Sequence, residues 1–316
     1  MVPRKIIIDT DPGQDDALAI LLALGSPELE VLGITCVAGN VPLPLTIRNA
    51  RLVCELAGRR DMKIFAGCER PMVRDLVTAE AVHGETGLDG PDWDEPTMPV
   101  QEVHAVDWLV ETLMAAEDGE ITLCPVGPIT NVAMAMVREP RIIPKIGQIV
   151  TMGGGYFVGG NTTPAAEFNV YVDPHAAAVM YRSGVPIVTM PLDVTHKALM
   201  SPEWIESVRT IGNEVGHKAA AMMSFYGRYD MKRYGERGGP LHDPATIAYL
   251  LEPDLYGGKD VFVEVETHSE ITMGMTVVDY WHRLEREPNC HWISEVDSDG
   301  FYELIRRRLM NLPATS

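Results

Sequence analysis

The chain carries little positive charge for its length. Its 316 residues include 26 Lys and Arg against 45 Asp and Glu, which gives a formal net charge of -19 at pH 7. Nucleic-acid backbones and anionic membranes are bound through clustered Lys and Arg, so this balance argues against both as partners. The expected substrate is a neutral molecule, or one that is held together with a cation.

Cysteine pairs and long apolar runs are also missing. No two cysteines form a CxxC pair, and no apolar stretch reaches the length of a membrane span. No charged segment followed by an apolar one precedes the first predicted strand. The sequence therefore predicts a soluble, cytoplasmic protein with reduced thiols at Cys36, Cys54, Cys68, Cys124 and Cys290.

Short β-branched runs alternate with amphipathic helical stretches along most of the chain. This alternation is typical of βαβ units, and it predicts an α/β fold with a mostly parallel central sheet flanked by helices. The absence of repeats and linkers predicts one large Rossmann-like domain over residues 1–316. The last β-like runs, from about residue 260, are compatible with antiparallel pairing, and the Met-rich run AAAMMSF is interpreted as core.

Four carboxylates are crowded into the motif DTDPGQDD, residues 9–16, between the apolar run Ile6–Ile8 and the predicted helix ALAILLAL. Carboxylates this close resist full ionisation unless a cation or hydrogen-bond donors neutralise them. An oxygen-only ligand set favours calcium or magnesium. The structural alternative is that Asp15 or Asp16 caps the helix while the others are solvated. The number of carboxylates favours a metal or catalytic site.

Other polar motifs follow later predicted strands: AGN, VGPITN, MGGG and LDV. In open parallel sheets, ligands bind beyond the carboxyl ends of the strands. We therefore expect these motifs and DTDPGQDD to share one edge of the sheet. Two long loops without regular periodicity, residues 69–100 and 156–174, are expected to hang over that edge.

Structural alternatives stay open for several residues at this edge. Asn40 is equally compatible with a turn cap, and Asp243 is compatible with a helix N-cap or with a fifth carboxylate of an oxygen cage. His83 is either a ligand contact or an ordinary loop histidine, and His196 is favoured as a buried structural residue. One loop segment offers side chains that suit a polyhydroxylated ligand, or are simply solvated: Asn161, Glu167 and Asn169.

Taken together and in order, these motifs resemble the inosine-uridine nucleoside hydrolase family, and in particular its bacterial pyrimidine-preferring ribonucleoside hydrolases. The resemblance runs from about residue 5 to 285. It is carried by these segments: DTDPGQDDALA, AGN, AVHGETGLDG, VGPITN, MGGG, TPAAEFNVYVDP, LDVTHK and GGPLHDP.

The resemblance implies hydrolysis of the N-glycosidic bond of a ribonucleoside, with a calcium ion as cofactor. The implied calcium ligands are Asp11, Asp16, the backbone carbonyl of Val126, and Asp243. Asp11 is also implied to act as a base on a water molecule. Contacts to the ribose are implied for a further group: Asp15, Asn40, the Met152 backbone, Asn161, Glu167 and Asn169.

Two histidines and one tyrosine are implied to face the nucleobase. His242 matches a histidine that assists the leaving group, and His83 matches one that lies near the base. Tyr234 matches a tyrosine linked to pyrimidine preference, but the position of its companion glutamine holds Asp230 here. Uridine or cytidine is the predicted substrate, and a purine-accepting or non-specific hydrolase is the alternative.

Other interpretations are also open. Phosphohydrolases of the haloacid dehalogenase type place DxD after their first strand, and a non-catalytic nucleoside-binding module would keep the same site without turnover. For Asp9, no direct contact is implied, so a supporting role behind the ligands is predicted. The resemblance further implies a homo-oligomer, either a tetramer or a dimer.

Overall fold

Strands and helices alternate along the chain in the computed structural model, which describes residues 2–235 and 238–313 except for the side chains of residues 230–234. The strands are β1 Arg4–Thr10, β2 Leu29–Cys36, β3 Ile64–Ala66, β4 Ile121–Pro125, β5 Ile146–Met152, β6 Ile187–Met190, β7 Tyr256–Val265, β8 Thr276–Asp279 and β9 Cys290–Val296. The helices are α1 Gln14–Leu24, α2 Leu43–Leu56, α3 Glu80–His83, α4 Ala105–Ala115, α5 Thr130–Arg138, α6 Phe168–Val172, α7 Pro174–Tyr181, α8 Leu192–Thr195, α9 Pro202–Arg209, α10 Glu214–Tyr234, α11 Pro244–Leu251 and α12 Ser298–Leu309. Short 3-10 helices cover Pro140–Lys145 and Pro253–Leu255.

The strands form one mixed sheet in the order β3-β2-β1-β4-β5-β6-β9-β7-β8. The pairings from β3 to β9 in that order are parallel, whereas β7 pairs antiparallel with both β9 and β8. The predicted mostly parallel α/β sheet is confirmed, including antiparallel pairing near its end. The strand order reverses between β1 and β4, and such a reversal opens a crevice at the carboxyl ends of the two strands.

Helix α1 runs directly from that crevice into the core. Its residues from Gln14 to Ala23 are all buried, and it packs against α2, α10, α11 and α12. A helix that is apolar on every side can be stable only when other elements surround it, as they do here. The first turn of α1 is thereby held rigidly at the centre of the molecule.

The described residues include no helix that is long and apolar enough to cross a membrane. The five cysteines are unpaired thiols, and all except Cys68 are buried. The predicted loop over residues 69–100 is largely irregular, but it contains the single turn α3, which ends at His83. This turn presents His83 to the carboxyl edge of the sheet.

Candidate active site

The site begins where β1 and β4 end side by side. Asp9 pairs with Pro125, and the Val126 amide donates a hydrogen bond to the Asp9 carbonyl at 2.8 Å. The next turn therefore places the side chain of Asp11 against the backbone that follows Val126. A Cβ atom on Gly127 would lie only 2.9 Å from the Asp11 Cγ, so the missing side chain makes room for this carboxylate.

Three buried carboxylates converge beside that turn. Asp15, Asp16 and Asp243 each offer an oxygen within 4.8 Å of the others. Although Asp243 occupies the N-cap position of α11, its side chain makes no capping hydrogen bond. The N-cap alternative from the sequence is therefore not realised by this carboxylate. The predicted metal ligands included Asp11, Asp16 and Asp243 but not Asp15. In the structure, the three carboxylates whose oxygens lie within 4.8 Å of one another are those of Asp15, Asp16 and Asp243, and Asp11 lies next to them.

Asn40 connects Asp11 with Asp16. Its backbone amide donates to Asp11 Oδ2 at 2.6 Å, and its side-chain Nδ2 donates to Asp16 Oδ2 at 3.1 Å and to the Asp11 carbonyl at 3.1 Å. Asp16 also accepts hydrogen bonds from the Thr10 hydroxyl at 2.6 Å and the Gly13 amide at 2.9 Å. Asn40 does more than cap a turn, because it orients two carboxylates at once.

Burial and mutual repulsion disfavour the charged forms of these carboxylates. Burial is the main cause that raises the pKa of Asp11 well above its usual value, and the charges of Asp16 and Asp15 add to it. Burial followed by the charge of Asp16 raises the pKa of Asp15 to about 7. The pKa of Asp243 is raised well above its usual range by burial and by the charges of Asp15, Asp16 and Asp11. A cation would remove this repulsion.

Two carboxylate oxygens of the group, Asp11 Oδ1 and Asp15 Oδ1, are buried without a hydrogen-bond partner among the side chains and backbone that the structure describes. A buried, unpaired oxygen is costly unless it binds something. The atoms available to a cation are carboxylate oxygens, and Val126 lines the same cavity. Hard divalent cations prefer such oxygen sets, so the residues present fit calcium.

Asp9 lies behind this group and is held by side chains from β2 and α5. Its Oδ1 accepts hydrogen bonds from the Thr35 hydroxyl at 2.5 Å and from Asn131 Nδ2 at 2.8 Å. Burial raises the pKa of Asp9 to about 7, although these two donors act in the opposite direction. The bonds agree with the predicted supporting role, which stays a prediction.

A cavity of about 780 Å³ opens beside the carboxylates. Its lining includes ten of the predicted site residues: Asp15, Asn40, His83, Val126, Met152, Asn161, Glu167, Asn169, His242 and Asp243. Asp11 and Asp16 are more deeply buried and are not part of that lining. The volume is within the range of small-molecule sites. The structure thus gathers residues from distant parts of the chain around one concave surface.

Asn169 and Glu167 border the cavity at the start of α6. Asn169 Nδ2 donates to the Val126 carbonyl at 2.8 Å and to the Met152 carbonyl at 3.3 Å. Glu167 caps α6 by accepting from the Asn169 and Val170 amides, and it also accepts from the Gly154 amide at 3.0 Å. Burial raises the pKa of Glu167 to about 7. Asn161 is exposed at the rim and accepts a hydrogen bond from the Phe168 amide.

Histidines occupy two other parts of the lining. His242 Nδ1 is 2.7 Å from the Thr195 hydroxyl, and burial lowers the pKa of His242 well below its usual value. His83 Nδ1 is 2.8 Å from Gln14 Oε1, and burial lowers its pKa to about 3. The prediction that His196 is buried is wrong, because this half-buried residue lines the cavity with its ring 5.7 Å from that of His242; its structural role stays a prediction.

Several contacts at the site were not predicted from the sequence. The Tyr226 hydroxyl donates to Asp15 Oδ2 at 3.1 Å, although its helix was interpreted only as core. The helical spacing from Met222 to Tyr226 places both on one face of α10, which predicts burial of Tyr226 but not its contact with Asp15. Nothing in the sequence pointed to Gln14 or Thr195. The predicted base contact Tyr234, and also Asp230, lie outside the side chains that the structure describes.

Comparisons with known proteins agree with this geometry. Residues 6–303 match the family model of inosine-uridine preferring nucleoside hydrolases. An uncharacterised protein of Schizosaccharomyces pombe is 49% identical over 98% of this chain and 100% of its own. The pyrimidine-specific ribonucleoside hydrolase RihA of Escherichia coli is 46% identical over 96% of this chain and 97% of its own. A solved purine-preferring ribonucleoside hydrolase from Gardnerella vaginalis superposes with a TM-score of 0.91 at 30% identity, covering 98% of this chain and 99% of the other.

Proposed function

We propose that this chain uses calcium to hydrolyse pyrimidine ribonucleosides to ribose and free base. The chain belongs to the inosine-uridine preferring nucleoside hydrolase family and is an N-glycosyl hydrolase. The family is metal-dependent, and the acidic cluster supplies a place for the ion. Membership sets aside the phosphohydrolase and the non-catalytic module that the sequence left open. Calcium, the pyrimidine preference and the individual residue roles are the proposed part.

One observation carries the proposal. Asp11 and Asp15 each present a buried, unpaired carboxylate oxygen within an acidic group at the crevice between β1 and β4. We assign the ion to Asp11, Asp16, Asp243 and the Val126 carbonyl. A bound calcium ion supplies positive charge, which lowers the pKa of nearby water and neutralises the repulsion between the carboxylates.

Asp11 is the proposed base. Its Oδ2 is tied to the Asn40 amide, whereas its Oδ1 has no partner among the described residues. Because this oxygen is not engaged, it can accept a proton from a water molecule that attacks the sugar. Asp11 thus supplies the nucleophile without forming a bond to the substrate.

Asp15, Asn169 and Glu167 are proposed to hold the ribose. The Tyr226 hydroxyl occupies Asp15 Oδ2, which leaves Oδ1 to accept a hydrogen bond from a sugar hydroxyl. Glycosidic cleavage develops positive charge on the sugar ring. Carboxylate and amide oxygens fixed around the ring stabilise that charge without having to reorganise. Asn40, Asn161 and the Met152 backbone complete this part of the site.

His242 is proposed to assist the departing base. Its ring is fixed through Nδ1 by the Thr195 hydroxyl, and it is neutral at pH 7 because burial lowers its pKa. His83 and Tyr234 are proposed as further contacts to the base. The 46% identity with a pyrimidine-specific enzyme supports uridine and cytidine, whereas the close superposition on a purine-preferring enzyme keeps purine nucleosides as the second candidate.

A nucleoside panel tests class, metal and preference together. The purified protein is assayed for released reducing sugar with uridine, cytidine, inosine and adenosine, with and without a chelator. We expect uridine and cytidine to be hydrolysed faster than both purine nucleosides. Calcium should restore the activity that the chelator removes. Faster hydrolysis of inosine would refute the pyrimidine preference, and full activity in excess chelator would refute the metal.

Assembly and location are also proposed on the resemblance. We propose a homo-oligomer, either a tetramer or a dimer, that acts in the cytoplasm without nucleic-acid or membrane partners. Light scattering of the purified protein at several concentrations decides its assembly state, and a monomer would contradict the proposal.

A further inference from the structure

We propose that Gln14 holds the ring hydrogen of His83 on Nδ1, so that Nε2 of this histidine is a hydrogen-bond acceptor that recognises an N–H group on the edge of the nucleobase. Gln14 then acts as a positioning residue, and His83 determines specificity. The recognition step rests on the proposed function, whereas the position of the hydrogen does not.

The orientation of the Gln14 amide is determined by two carbonyl groups. Gln14 Nε2 donates to the His83 carbonyl at 2.9 Å and to the Asp89 carbonyl at 3.0 Å. Both hydrogens of the amide group are used in these bonds. If the amide were flipped, its oxygen would face two other acceptors, so only this orientation satisfies the contacts.

The remaining amide oxygen determines which ring nitrogen of His83 carries the hydrogen. Gln14 Oε1 is 2.8 Å from His83 Nδ1, and a carbonyl oxygen can only accept. His83 Nδ1 must therefore be the donor. The buried position of the ring lowers the pKa of His83 to about 3, which keeps the imidazole neutral at pH 7. A neutral imidazole with hydrogen on Nδ1 has a bare Nε2.

The bare nitrogen is available to a ligand. His83 lines the cavity next to Asp15 and Asn40, and its ring centroid is 5.6 Å from that of Tyr226. Among the described residues, no hydrogen bond is made to Nε2, and this atom is not one of the buried polar atoms without a partner. It therefore faces the open volume of the cavity, where it can accept a hydrogen bond.

This arrangement gives His83 and His242 different chemical roles. His83 has no hydrogen to give on its cavity side, so it cannot protonate the leaving base. It selects bases that present an N–H group, such as N3–H of uracil or the exocyclic amino group of cytosine. Assistance to the leaving group is left to His242.

Nitrogen NMR of the unmodified protein, labelled with ¹⁵N-histidine, tests the position of the hydrogen directly. The His83 signals are assigned by their disappearance in His83→Asn. At pH 7.5 without nucleoside, we expect the pattern of a neutral ring with hydrogen on Nδ1. Hydrogen on Nε2, or the pattern of a charged ring, would overturn the proposal. This measurement needs no turnover, so it is informative even if the proposed substrate class is wrong.

Two variants distinguish the effect of Gln14 on the His83 ring hydrogen from its attachment of the loop over residues 69–100. Gln14→Met removes the acceptor for Nδ1–H as well as both bonds to the loop. Asn49→Ala is the matched control, because Asn49 Nδ2 attaches the same loop by donating to the Thr86 and Pro12 carbonyls and makes no hydrogen bond to His83. We expect Gln14→Met to shift hydrogen from Nδ1 to Nε2, and Asn49→Ala to keep it on Nδ1. An unshifted Gln14→Met would refute the role of Gln14.

Recognition of the base is tested with uridine and 3-methyluridine, which lacks the N3–H group. We expect the unmodified protein to favour uridine in kcat/KM, and the ratio to fall about tenfold in Gln14→Met, as for the loss of one buried hydrogen bond. The bulk of the methyl group is the same for both proteins, so it cancels in this comparison. An equal ratio in both proteins would refute recognition through Nε2, and the NMR result would still stand.

Discussion

Replacement of Gly127 by alanine probes the position of the Asp11 carboxylate. A Cβ atom on Gly127 would meet Asp11 Cγ at 2.9 Å and Asp11 N at 3.0 Å, where ordinary contacts begin at 3.4 Å. Gly127 does not have a positive φ, so alanine is permitted by the backbone. The Asp11 carboxylate has no room to move away from this Cβ atom, because Gly39 packs against its Oδ2 atom and the Asn40 amide donates a hydrogen bond to the same atom at 2.6 Å.

The magnitudes follow from these contacts. Overpacking of a buried site costs about 1–3 kcal/mol of unfolding free energy. A shift of about 1 Å in a reacting group lowers the rate by on the order of a hundredfold. Calcium at a hundredfold excess over its Kd stabilises a binding protein by about 2.7 kcal/mol. We expect Gly127→Ala to lose most of its uridine hydrolysis and most of this calcium-dependent stabilisation.

The assay combines thermal unfolding with turnover, each with calcium and with chelator. Gly227→Ala is the control, because Gly227 lies within α10 and the nearest atom to its added Cβ, Met200 Cε, is 3.8 Å away. This variant should keep full activity and gain up to about 1 kcal/mol from higher helix propensity. If Gly127→Ala retained both the activity and the calcium response of the unmodified protein, Asp11 could not act where we place it.

Three further predictions concern the carboxylates. Asp11→Ala should lower uridine hydrolysis by at least about a hundredfold, because it removes the proposed base, while circular dichroism shows an unchanged fold; activity above that level contradicts the assignment. Tyr226→Phe removes the hydroxyl that donates to Asp15 Oδ2 and should lower kcat/KM for uridine about tenfold, with little change in urea unfolding; an unchanged kcat/KM contradicts this support of Asp15. Burial raises the pKa of Asp9 from 3.8 to about 7, so the folded state favours its neutral form, and the resulting stabilisation is complete below the ordinary pKa and is lost as pH rises through 7. In chelator, the free energy of unfolding should therefore fall relative to Asp9→Asn by about 3 kcal/mol between pH 5 and pH 8, and a constant difference in urea unfolding would refute the raised pKa.

The placement of the site could be predicted because it follows from topology. Parallel strands bring their carboxyl ends to one edge, so Asp11, Asn40, Val126 and Met152 had to meet there once the strands were recognised. What the pattern left undecided was the direction of individual side chains. The sequence was compatible with Asp243 as a helix N-cap or as a further carboxylate of the cluster, and in the structure its carboxylate joins Asp15 and Asp16 instead of capping.

Contacts between elements that are distant in the chain could not be predicted from the sequence, for a physical reason. Tyr226 reaches Asp15 only because α10 packs across α1, and a helix with Met222 at helical spacing looks the same in sequence whether its tyrosine faces the core or a carboxylate. Gln14 is a second contact that the sequence did not predict, because the motif was interpreted through its charged carboxylates. Its amide matters through direction alone: two bonds to backbone carbonyls leave one oxygen for His83, and that oxygen decides whether the histidine gives or accepts a hydrogen at the base.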